Sequence, residues 1–115
     1  MQNLVYKLFR KSEWRDAAAS GKFSGSPDDI RDGFIHLSAA KQVRGTFGKY
    51  FSGEAEPVLV AFAAERLGPA LKWEISRNGE PFPHLYGVLD LFLAVSAFDV
   101  TRDQNGAPVF PPEIP

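Results

Sequence analysis

The chain contains no cysteine, and this one absence removes disulfide bonds, thiolate nucleophiles and thiolate-held metals together. It fits a reducing compartment. Charge of one sign is also missing: 13 Lys and Arg stand against 14 Asp and Glu. The overall field therefore does not draw the protein to nucleic acid or an acidic membrane, and any polyanion site must be local. No apolar run approaches the roughly 18 residues that a membrane span requires. The opening Met1–Lys7 segment has neither the basic start nor the long apolar stretch of a signal peptide. A soluble cytoplasmic protein is the expectation. There is no Gly-x-x-x-x-Gly-Lys-Ser/Thr loop, Gly-x-Gly-x-x-Gly fingerprint, His-Glu-x-x-His helix or Gly-x-Ser-x-Gly elbow. Phosphate-loop, Rossmann, zinc-protease and serine-hydrolase chemistries thus lose their usual sequence support.

What is present suffices for one core. In 115 residues, 44% are hydrophobic, which supports a single domain with little room for a second. That domain is expected over residues 1–102, with an extended or disordered proline-rich tail at 103–115. Leu4–Phe9 reads as a first strand, and Ser12 as the cap of a helix that Gly21 stops, with Trp14 on its inner face. Residues 22–32 read as a loop with one helical turn after Pro27. Val58–Phe62 is a nearly continuous apolar run, the pattern of a strand buried on both faces. Leu71, Trp73 and Ile75 alternate with Lys72, Glu74 and Ser76, and Asn78-Gly79 is the strongest turn signal in the chain. Leu91–Val100 reads as the last strand, and Trp14 and Trp73 as core anchors. The fold class expected is α+β, with an antiparallel sheet, continuous or split, and two main helices.

The chain has two histidines, and neither lies in polar surface sequence. His36 stands in Gly33-Phe-Ile-His-Leu-Ser38 and His84 in Phe82-Pro-His-Leu-Tyr-Gly87. Imidazole titrates near pH 6.5 and serves as acid, base, ligand or hydrogen-bond partner, so its use within apolar strands points to function. Alternation puts His36 with Ser38 on one side of a strand, Lys72 with Glu74, and His84 with Tyr86. Pro83 confines its segment to an edge or bulge. If these segments meet at one cleft, they supply an acid or base, an ion pair and hydroxyl donors to a polar ligand. Each residue also has a plainer role: a hydrogen-bonded core histidine, a helix N-cap at Ser38, or a solvated strand face at Lys72 and Glu74. Arg44 and Lys41, on the helix after Ser38, either meet a phosphate or are simply solvated.

The ordered set of Tyr6, Ser12-Glu13-Trp14, Gly21, Gly33-Phe-Ile-His-Leu-Ser38, Lys72-Trp73-Glu74 and Phe82-Pro-His-Leu-Tyr-Gly87 resembles the bacterial family called domain of unknown function 952. The resemblance spans about residues 4–100. That family is similar in fold to the ADP-ribosyltransferases, which implies a split, curved antiparallel sheet gripping NAD. The resemblance makes His36 and Ser38 the ribose-contacting residues. It makes Glu74 the nearest acidic candidate for stabilising an oxocarbenium-like ribose. His84 and Tyr86 resemble branches in which other polar residues replace that glutamate. A second resemblance, to RNA 2′-phosphotransferases, asks for arginines converging from among Arg10, Arg15, Arg44, Arg66 and Arg77.

The leading expectation is NAD-linked ADP-ribosyl transfer or NAD glycohydrolysis, with Glu74, His84 and Tyr86 catalytic and His36, Ser38 and Arg44 binding the cofactor. One alternative is a binding module for a nucleotide or other small polar ligand without turnover. Another is a metal site built from His36, His84 and Glu74. The acceptor, the pathway and the oligomeric state leave no mark in the sequence.

Overall fold

The computed structural model describes residues 3–115. At its centre lies β5 (Val58–Ala63), every residue of which is buried. It is flanked by β1 (Leu4–Phe9) and β9 (Ala94–Asp99), with β4 (Ser38–Ala39) outside β1, so the antiparallel order is β4-β1-β5-β9. The β1–β5 ladder runs from the Leu4–Ala63 pair to the Phe9–Val58 pair. Both faces of this sheet are covered. Val5, Phe9, Val58, Val60 and Phe62 point into one core, shared with Phe23, Ile35, Leu85 and Leu89. Tyr6, Leu8, Leu59 and Ala61 point into a second, shared with Val43, Phe47, Val100 and Ile114. Burial on two faces explains why these strands read as continuous apolar runs.

A second sheet, β3-β7-β6, joins β3 (Ile35–His36), β7 (Pro81–Leu85) and β6 (Leu71–Ile75). A two-stranded pair, β2 (Lys22–Phe23) with β8 (Leu89–Asp90), completes the strands. The helices are α1 (Lys11–Ser20), the short α2 (Pro27–Asp32) and α3 (Val43–Tyr50). This is a small α+β domain with antiparallel sheets. Its radius of gyration of 13.3 Å is that of one folded unit of this length. No helix among the described residues is long and apolar enough to cross a membrane.

Local chemistry sets the helix ends. α1 starts at Lys11, not after Ser12, because the Glu13 carboxylate accepts from the Arg10 N–H at 2.9 Å and answers an orphan donor of the first turn. α2 follows a reciprocal cap: Ser26 Oγ accepts from Asp29 N–H at 3.2 Å, and Asp29 Oδ2 accepts from Ser26 N–H at 2.9 Å. Pro27 occupies its first turn, and Gly33, at φ 86°, ends it in the left-handed conformation glycine tolerates best. Ser38 does not cap α3. A 3₁₀ turn over Ala40–Gln42 intervenes, and Gln42 Oε1 accepts from Ala39 N–H instead.

Five further expectations change. Residues 33–38 are not one strand: β3 joins the three-stranded sheet and β4 the four-stranded one, so the chain crosses between sheets at Leu37, whose N–H donates to Pro83 O at 3.0 Å. Pro83 sits in the central strand of its sheet, tolerated because the ladder from β3 ends one residue away, at the His36–His84 pair. Trp73 is 48% exposed, since β6 is an edge strand and alternation alone does not reveal an edge. Trp14 does pack, edge-on to Phe9 at 5.5 Å. The last strand begins at Ala94, after a 3₁₀ turn over Leu91–Leu93. Within the proline-rich segment 103–115, Ile114 is buried and Phe110 meets Phe47 edge-on at 5.5 Å, so this stretch lies against α3 and not free.

Candidate functional site

The site grows from Asp29, the residue that caps α2. Its carboxylate is 2% exposed and accepts from Ser26 N–H, His36 N–H at 3.0 Å, and the Lys7 ammonium at 3.0 Å. Its Oδ1 also meets His36 Nδ1 at 2.6 Å. Burial pushes the Asp29 carboxyl up, but the His36 bond, the Lys7 charge and the two backbone donors outweigh it and hold the group well below the usual carboxylate range. Lys7 is buried on the strand face it shares with Val5 and Phe9, and it also donates to His36 O at 3.0 Å. Burial lowers this ammonium below the usual lysine range, against the pull of Asp29. One capping residue thereby ties α2, β1 and β3 together.

His36 and His84 are opposite one another in the β3–β7 ladder, with ring centroids 5.7 Å apart. His36 turns Nδ1 to Asp29 and Nε2 to Asp32 Oδ2, 2.9 Å away. Each nitrogen of the His36 ring thus faces a carboxylate of α2. Phe34 stacks on His84 at 4.0 Å and tilts against His36 at 4.6 Å, fixing the two rings from one side. His84 Nδ1 lies 2.8 Å from Glu74 Oε1, and Tyr86 donates its hydroxyl to the same oxygen at 2.7 Å. Those bonds, Tyr86 first and then His84, hold Glu74 below the usual carboxylate range, and the Glu74 bond raises Tyr86. With Nδ1 donating to Glu74, Nε2 is the remaining polar atom of the His84 ring. It has no partner among the described residues.

Both histidines line a cavity of about 240 Å³ between the two sheets, α2 and α3. Ser38 lines it as well, its Oγ 2.9 Å from Thr46 Oγ1. Arg77 Nη2 donates to that Thr46 oxygen at 3.2 Å. Two hydroxyls that share one hydrogen bond leave one O–H hydrogen uncommitted, so the pair offers a donor to a ligand.

His36, Ser38 and His84 thus share one wall, whereas Glu74 and Tyr86 stand behind His84 and do not reach the cavity. Arg44 is elsewhere, donating to Pro115 O at 2.7 Å and lying over the Phe110 ring. Of the five arginines considered for a phosphate, Arg10 and Arg77 line the cavity. The three-residue metal alternative fails on orientation: His36 spends both nitrogens on Asp29 and Asp32, and His84 spends Nδ1 on Glu74. Among the described residues, no group of three or more His, Cys, Asp or Glu is arranged to hold a metal ion. Lys7, Asp29 and Thr46 were not anticipated. Lys7 had a signal, a lysine on the apolar face of a strand, and so had Asp29, three residues after a serine that precedes proline.

Comparison with known proteins places the chain. It is similar to the crystal structure of protein CC0527 from Caulobacter crescentus, with 47% identity over 92% of this chain and 93% of that one, at a TM-score of 0.86. The solution structure of the same protein is similar at 48% identity over 91% and 90%, with a TM-score of 0.80. No curated protein matches the chain. The family described as protein of unknown function, DUF952, matches residues 8–97. The chain belongs to the DUF952 family.

Proposed function

We propose that the cavity is a nucleotide pocket sized for a mononucleotide or for one half of NAD. The observation that carries this reading is the single wall on which His36, His84 and the Ser38–Thr46 hydroxyl pair meet, with His84 Nε2 lacking a protein partner. Polar groups that converge on one concave wall are the mark of a small-ligand site, and here they stand beside Leu37, Phe51 and Phe82. Size limits the occupant: about 240 Å³ falls below the roughly 300–1,000 Å³ of sites that enclose a drug-sized ligand, so a whole dinucleotide would leave one half outside. The likeness of Gly33–Ser38 to the first ADP-ribosyltransferase motif assigns both residues to the ribose side of the pocket, Ser38 through its hydroxyl and His36 by holding the Asp32 carboxylate in place. Asp32, an acceptor at the rim, would take part beside them.

Thermal denaturation with NAD, nicotinamide mononucleotide and AMP tests this, because a ligand that binds only the folded state raises the midpoint. The expected result is a rise for wild type and none for His84→Ala or Ser38→Val. No rise with any of the three at millimolar concentration overturns the reading.

A second reading, turnover of NAD, is favoured by the Tyr86–Glu74–His84 chain, which orients one ring nitrogen as an acid–base group is oriented. In hydrolysis the ribose C1′–nitrogen bond breaks, its electron pair leaving with nicotinamide. Water oxygen bonds to C1′, and the proton of that water passes to His84 Nε2. Glu74 and Tyr86 are positioning residues here. Mass spectrometry after incubation with NAD separates the readings: nicotinamide in molar excess over protein supports turnover, and intact NAD with a raised midpoint leaves binding alone.

A further inference from the structure

We infer that the end of the cavity between α3 and the β6–β7 turn is an anion subsite, and that the ligand taken by the nucleotide pocket carries a terminal phosphate monoester. The inference rests on the pocket reading above and adds the chemical class of its occupant.

Charge pairing around the wall is uneven. Each carboxylate lining the cavity has a cation beside it: Glu13 has Arg10, Asp28 and Asp32 share Arg31, and Asp29 has Lys7. Two lining cations, Lys49 and Arg77, have no carboxylate within ion-pair distance among the described residues. The unmatched charge of the wall is therefore positive, and it is gathered at one end. In a partly enclosed site such charge is screened less than on open surface, so it draws an anion.

That end is also built. Arg77 leaves the tight turn after β6, where Asn78 and Gly79 both take positive φ. Its guanidinium is half-buried over the Phe82 ring, 4.9 Å from the centroid, and donates to Thr46. Gly45 makes room for it: a β-carbon there would sit 3.2 Å from Arg77 Nη2. Lys49 follows Thr46 by three residues and Gly45 by four, so the three share a face of α3. A planar guanidinium held by stacking and one hydrogen bond keeps further N–H groups for a phosphate fork. The Ser38–Thr46 pair adds a hydroxyl donor, and Lys49 adds a mobile charge.

Isothermal titration calorimetry with AMP, adenosine and inorganic phosphate tests the assignment on wild type, Arg77→Gln and Lys49→Gln. Lys49 is exposed and makes no hydrogen bond among the described residues, so its replacement leaves the fold intact even if Arg77→Gln does not. The expected result is AMP bound about tenfold or more tighter than adenosine by wild type, the size of a charge-assisted bond, with that advantage lost in each variant. Equal binding of AMP and adenosine, unchanged in the variants, overturns the anion subsite and leaves the nucleotide pocket standing. Phosphate binding that the variants abolish, without any gain from adenosine, keeps the subsite and overturns the nucleotide reading. Failure of all three probes overturns both.

Discussion

His36 and His84 are direct cross-strand partners, and their rings meet edge to face 5.7 Å apart. The two are backed differently. His36 is held between the carboxylates of α2, while His84 is held by one carboxylate from β6. One ring is thus spent on the protein, and the other keeps a nitrogen for chemistry.

Removing Asp29 should be costly because it strands the Lys7 ammonium. Breaking a buried pair by deleting one partner costs about 3–5 kcal/mol, and Asp29 also caps α2. Asp29→Asn should lower the urea-unfolding free energy by that order, and Lys7→Met in the Asp29→Asn background should recover part of it. A loss below about 1 kcal/mol, the level of a surface pair, would mean that the pair is solvated.

The same group sets an acid limit. Its folded value lies below its unfolded one, so the unfolded chain binds the proton first and stability rises with pH through that interval. Asp29's contribution should be fully present above the ordinary carboxylate value of about 3.9 and fade as pH falls from there toward the folded value. Unfolding midpoints measured from pH 6 to pH 2 should fall more gently in Asp29→Asn than in wild type. Parallel curves would remove Asp29 from the account of acid sensitivity.

Glu74 should set the tautomer of His84. A carboxylate that accepts at Nδ1 holds the neutral ring in its Nδ1–H form and leaves the Nε2 lone pair outward. Long-range 1H–15N spectra of neutral His84 should show that form in wild type and a mixture in Glu74→Gln. Tyr86→Phe should leave it largely in place. An Nε2–H ring in wild type would contradict the proposed direction of proton transfer.

Residues 110–115 should behave as part of the core. Ile114 is 4% exposed and Phe110 packs on Phe47, and truncating a buried isoleucine to alanine costs roughly 2–5 kcal/mol. Ile114→Ala should lose about 2 kcal/mol, and ending the chain at residue 109 should lose more. Calorimetric melting compares both with wild type.

The sequence was most legible where burial is two-sided or where turn chemistry is strong. Val58–Phe62 reads as a central strand because both faces need apolar residues, and Asn78-Gly79 reads as a turn because two adjacent residues need positive φ. The two histidine segments stood out because polar groups interrupt apolar runs. What escaped were relations between distant segments. Glu74 shares a strand face with Lys72 in either register, and only the β6–β7 ladder shows that it ends behind His84 rather than before a ligand. Arg44 and Arg77 read alike as surface arginines, until folding carries one to the C-terminus and the other over Phe82. Local capping hides the tertiary role of Asp29 for the same reason.

The central claim is that a polar ligand sits against the wall shared by both histidines. Backbone and imidazole 1H–15N spectra recorded during titration with AMP test it most directly. The account predicts saturable shifts at Ser38, Thr46, Arg77 and the His84 ring, with β9 and the exposed face around Phe92 unmoved. Saturable shifts confined to those distant residues, or none at all at millimolar AMP, would contradict it.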